Sequence, residues 1–71
     1  MGRQTTVIPK APVGRILEKN GAKRVSQEAM DAFSEILTER AERIAARSVE
    51  IAKHSGRKTI HEGDIKLAAK Q

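Results

Sequence analysis

No cysteine occurs in this 71-residue chain, which excludes disulfides and thiolate metal sites. Its two histidines, His54 and His61, are too few and too far apart for a structural zinc site. Phe33 is the single aromatic residue, so there is no stacking platform for single-stranded nucleic acid. No apolar run approaches the ~18–20 residues of a membrane span. The first residues show no apolar signal core, so neither membrane insertion nor export is expected. No Ser, His and Asp stand in a recognisable catalytic arrangement, so the chain is expected to be no enzyme and to need no cofactor.

Size sets a further limit. A chain this short lies near the minimum for an independent core, which would be worth only about 3–5 kcal/mol. With disulfides and metal excluded, oligomerisation is the remaining source of stability.

What is present is charge, unevenly placed. The net charge is +5 with a pI near 10.1, which favours an anionic partner. Two short segments, Gly21-Ala22-Lys23-Arg24-Val25 and Gly56-Arg57-Lys58-Thr59-Ile60, hold four basic residues and no acid. Residues 26–55 between them hold six acids against four bases and contain neither Gly nor Pro. Positive charge therefore gathers at the two ends of a predicted helix and is absent as net charge from its shaft.

Extended loops expose backbone N–H groups that bind phosphate oxygens alongside Lys, Arg and Thr. Lys23, Arg24, Arg57, Lys58 and Thr59 are thus expected to grip a polyanion, the alternative for each being a solvated loop residue. Arg15, near the start of the first helix, adds to the positive potential there. Without exposed aromatics, a double-stranded nucleic acid is the expected ligand.

Helical signals divide the chain into three elements. Residues 1–8 read as a short, poorly ordered arm, with residues 9–71 as the folded domain. Pro12 suits the first turn of a helix that runs to about Asn20, with Gly21 as a left-handed cap. Val13, Ile16 and Leu17 would form its apolar face. Ser26 is a good N-cap for the central helix, with Glu28 and Asp31 in its first turn.

Along that helix Met30, Phe33, Leu37, Ala41, Ile44, Ser48 and Ile51 recur at helical spacing, with Phe33 expected in the core. Gly56 ends it, with Lys53 and His54 in the last turn. Thr59 and Ile60 suit a short extended segment. A final helix would run from His61 or Glu62 to Lys70, with Ile65, Leu67 and Ala68 inward.

At ~1.5 Å per residue the central helix is about 45 Å long, and its neighbours are roughly a quarter to a third of that. They cannot cover its apolar stripe. A homodimer is expected, its long helices crossing where Ala41, Ala45 and Ala46 allow close approach. The two basic loops also align with each other if Ala22 is skipped, which suggests one helix–loop–helix unit used twice. His54 and Asp64 read either as a capping His and an ordinary helix N-terminal acid or as a polar pair between protomers. Arg57 and Asp64 could instead pair within the chain.

Ala11-Pro12-Val13-Gly14-Arg15-Ile16, Lys23-Arg24-Val25-Ser26 and Gly56-Arg57-Lys58-Thr59-Ile60, followed by Asp64-Ile65, resemble the archaeal histones over residues 9–70. The resemblance implies the all-α histone fold: a short helix, loop, long central helix, loop and short helix, intertwined as an obligate homodimer. It implies a protein that binds, bends and compacts double-stranded DNA with little sequence preference, as dimers that join into tetramers or longer assemblies.

By the same likeness Arg15, Lys23, Arg24, Lys58 and Thr59 contact DNA, with Arg24 in the minor groove. Arg57 with Asp64 braces the second loop. Ile51, His54, Asp64 and Leu67 form the contact between dimers. Paralogous histones are further expected partners, and the chromosome in the cytoplasm is the expected location. Arg3 and Lys10 belong to an N-terminal arm longer than in compact members. Gly21, lacking a side chain, would leave room for neighbouring DNA turns to stack in a filament.

Overall fold

A computed structural model describes residues 7–70, which form three helices and no strand: α1 (Lys10–Lys19), α2 (Gln27–His54) and α3 (Glu62–Lys70). Most of the expected arm, including Arg3, lies outside the described residues. α1 begins two residues earlier than Pro12 suggested, because Pro9 in extended conformation (φ −61°, ψ 148°) already serves as its N-cap. Pro12 still falls in the first turn, where its missing N–H costs no helical bond.

Both of the first two helices end in the same way. After α1, the Gly21 N–H donates to the Glu18 carbonyl at 3.0 Å and the Ala22 N–H to that of Leu17 at 3.1 Å. After α2, the Gly56 N–H donates to Lys53 and the Arg57 N–H to Ala52, both at 2.9 Å. This is the Schellman pairing, which needs a left-handed residue just past the helix. Gly21 (φ 110°) and Gly56 (φ 73°) supply it.

α2 starts as its sequence predicts. The Ser26 hydroxyl accepts the Ala29 N–H at 3.0 Å, satisfying one of the free donors of the first turn. At 28 residues the helix is about 42 Å long.

Packing gathers into two units, Met1–Glu39 and Arg40–Gln71, each a short helix against one part of α2. In the first, Val13 and Gly14 are buried. A Cβ on Gly14 would stand 2.9 Å from the Met30 sulfur, so the glycine permits close approach of α1 to α2. Lys10 lies in the helix and pairs with Asp31 at 2.6 Å, and the Ser34 hydroxyl donates to the Ile8 carbonyl. In the second unit, Ala52 and Ala68 are buried, as is Ser48, whose hydroxyl donates to the Ile44 carbonyl at 2.8 Å.

The buried apolar residues are Val13, Ala52 and Ala68, alongside the polar Ser34, Thr38, Ser48 and Asp64. Several residues expected inward are not covered within one chain: Ile16 is 47% exposed, Ile65 43% and Leu67 48%. Phe33 is only half-buried, and Ile36 beside it on α2 is 61% exposed. A helix of nine or ten residues masks only one side of α2, so periodicity names the apolar faces correctly while one chain cannot cover them all. Apolar exposure on this scale marks an interaction surface.

Candidate nucleic-acid interface

The twin helix caps shape the candidate site. Each turns the chain sharply and then presents basic residues from a loop with no acid of its own. After the first cap, Lys23 and Arg24 are exposed while Val25 is half-buried and anchors the entry to α2. After the second, Lys58 and Thr59 are exposed. Arg15, on α1, is exposed as well.

Arg57 differs from the other loop cations because it turns back into its own unit. Its Nη1 donates to Asp64 Oδ2 at 2.9 Å and its Nη2 to Oδ1 at 2.9 Å. Nη1 also reaches the Thr59 carbonyl at 3.2 Å. The same Asp64 Oδ2 accepts the His61 backbone N–H at 2.8 Å, which closes the N-terminus of α3. One carboxylate thus ties both ends of the loop, and bidentate pairing fixes its geometry as a single ion contact would not.

Asp64 is 4% exposed. The Arg57 guanidinium, and after it the His61 N–H, hold its carboxyl well below the usual carboxylate range. The Arg57 pKa is pushed up by its hydrogen bond to Asp64. The pair stays ionised at any neutral pH.

The structure therefore brings Arg57, Thr59, His61 and Asp64 into one network. Among the described residues, His54 is exposed at the end of α2 and takes no part in it. Ile51 is half-buried and Leu67 is 48% exposed. The His61 backbone donor was missed by sequence reasoning. The signal was an acid at the third position of a helix, where a carboxylate reaches back to the capping residue's N–H.

Gly21 is accounted for by its left-handed cap, and a Cβ there would meet nothing within 4 Å. No group of metal-ligating side chains occurs among the described residues. No helix of the described residues is long and apolar enough to cross a membrane.

Residues 6–69 match the family of histone-like transcription factors (CBF/NF-Y) and archaeal histones. The chain belongs to the archaeal histone family. It is 43% identical over 63 residues to the archaeal histone HAN1 of Thermococcus zilligii, covering 89% of this chain and 94% of that protein. It is 51% identical over 61 residues to probable archaeal histone 3 of Methanocaldococcus jannaschii, covering 86% and 91%. As an archaeal histone it has the all-α histone fold and is a DNA-binding chromatin protein of a non-enzymatic family. Archaeal histones bind DNA and form dimers, which fits loops rich in cations and helices rich in uncovered apolar side chains.

Proposed function

We propose that this histone binds double-stranded DNA with little sequence preference and bends it around a core of homodimers, residues 9–71 forming the histone-fold domain. The observation that carries the reading is the pair of matching capped loops. Each presents exposed cations, and a dimer doubles them. Arg15, Lys23, Lys58 and Thr59 neutralise or hydrogen-bond phosphates, while Arg24 enters the minor groove. Such contacts read no base edges, so preference comes from the ease with which a sequence bends. Arg57 and Asp64 hold the second loop in the shape that presents Lys58 and Thr59.

Assembly beyond the dimer would run through Ile51, His54, Asp64 and Leu67. Asp64 is committed to Arg57 and the His61 N–H within its own chain, so His54 would meet a carboxylate already fixed in place. Dimers with paralogous histones, longer filaments and association with the chromosome in the cytoplasm belong to the same reading.

The matched family also includes transcription factors, which makes site-specific binding the second reading. A recognition helix needs donors at its N-terminal end, whereas α2 opens with Gln27-Glu28 and carries Asp31. Affinity for random and selected duplexes decides between them. Packaging predicts a preference far below the ~10³-fold of specific regulators. Arg24→Ala combined with Lys58→Ala should abolish most DNA affinity in a dimer that stays folded. Unchanged affinity would mean that the loops serve a purpose other than DNA.

A further inference from the structure

A groove of about 340 Å³ lies between the second part of α2 and α3, lined by Arg40, Arg43, Arg47 and Glu50 with Ile44 and Ala68 as apolar floor. The loops discussed above contribute nothing to it. Three arginines against one glutamate leave it strongly positive. These arginines recur at spacings of three and four, which places them along one helix face.

Their charge is not answered within the chain. The ion pairs among the described residues are Lys10–Asp31, Arg57–Asp64 and Lys66–Glu62. Arg43 follows Glu39 by four residues, a favourable intrahelical spacing, yet the two form no ion pair. Arg40 reaches only the Ala69 carbonyl, at 3.4 Å.

The complement lies on the same helix. From Gln27 to Glu39, α2 carries Glu28, Asp31, Glu35 and Glu39 and no base. Asp31 is taken by Lys10, while Glu28, Glu35 and Glu39 are exposed. They stand seven and four residues apart, on one face. Beside them Ile36 is 61% exposed, an apolar side chain suited to the Ile44 and Ala68 floor. The helix dipole favours such a polarity only in the first and last turns, so it does not account for Glu35, Glu39, Arg40 or Arg43.

We propose that the arginine-lined groove beside α3 is a docking site for the acidic half of α2 from a second copy of this chain, and that this charge match selects the antiparallel partner. The proposal rests on the homodimer reading above and names the surface that enforces it. Each copy carries both the groove and the acidic face, so an antiparallel pair makes the contact twice, as two-fold symmetry requires. Opposed charges fix register and reject wrong partners, because like charges brought together at an interface are strongly unfavourable.

The test is a charge exchange read by sedimentation without DNA, with helicity followed in parallel. The wild-type chain should be dimeric; a wild-type monomer would defeat the homodimer reading itself. Given a wild-type dimer, Arg43→Glu with Arg47→Glu, and separately Glu35→Lys with Glu39→Lys, should each weaken dimerisation by about tenfold or more. A 1:1 mixture of the two variants should form a heterodimer of nearly wild-type affinity, since both docks become complementary again. If each variant is unfolded alone, the mixture should regain helicity. Wild-type dimerisation by either variant, or a mixture that fails to recover, would overturn the proposal. So would an arginine variant that dimerises normally but loses DNA affinity, which would assign the groove to nucleic acid.

Discussion

The dependence of DNA binding on salt can be worked from which cations the fold leaves free. Arg15, Lys23, Arg24 and Lys58 are exposed and enter no ion pair among the described residues. Arg57 is withdrawn by Asp64 and is left out of the tally. Each cation that displaces a condensed counterion contributes about −0.9 to the slope of log affinity against log salt. Four per chain, doubled in a dimer, give a limiting slope of about −7. Between 50 and 200 mM salt that amounts to a loss of roughly 10⁴ in affinity. Arg24→Ala with Lys58→Ala removes half of these cations and should halve the slope to about −3.6. Fluorescence anisotropy of a labelled duplex titrated across this range measures both slopes. A wild-type slope shallower than about −3, or one that the double variant leaves unchanged, would refute the assignment of these residues.

Other consequences concern the loop braces and assembly. The depressed pKa of Asp64 means that its contribution to stability is complete above the unfolded value of about 3.9 and is lost only as pH falls through the lower folded value. Denaturation of wild type and Asp64→Asn should therefore differ by a constant amount from pH 5 to 8 and converge only below about pH 4; convergence near neutrality would show that the carboxylate is not held as described. Gly56→Ala forces a side chain into the left-handed cap and should destabilise by roughly 1 kcal/mol, measured by urea unfolding, whereas a neutral result would remove the cap from the account. His54→Lys should leave dimers folded but reduce higher assembly on DNA, and sedimentation of reconstituted complexes showing normal assembly would dismiss His54 from that contact.

Much of the fold can be read from local chemistry. Ser26, Gly21 and Gly56 announce helix ends because capping depends on one residue's hydroxyl or its freedom to adopt positive φ. The likeness between the two loops, visible as repeated glycine and basic residues, reappears as the same hydrogen-bonded cap. What escaped the reading depends on contacts between distant residues. Nothing in the sequence near Gly14 says that a methionine sixteen positions later needs its missing Cβ, and nothing near Lys10 points to Asp31. Periodicity identified Ile16, Ile65 and Leu67 as apolar positions but could not say whether their own chain covers them. Arg57 and Lys58 are neighbours of the same charge, and only the bidentate geometry to Asp64 separates the brace from the exposed cation.

The most direct test of the central claim, that dimers assemble on DNA and wrap it with little regard to sequence, is nuclease digestion of complexes reconstituted on mixed-sequence duplex DNA. Protected fragments of regular length, either one discrete size or a ladder, are the predicted result, with the same lengths recovered from unrelated sequences. Complete digestion despite saturating protein, or protection confined to one sequence, would contradict it.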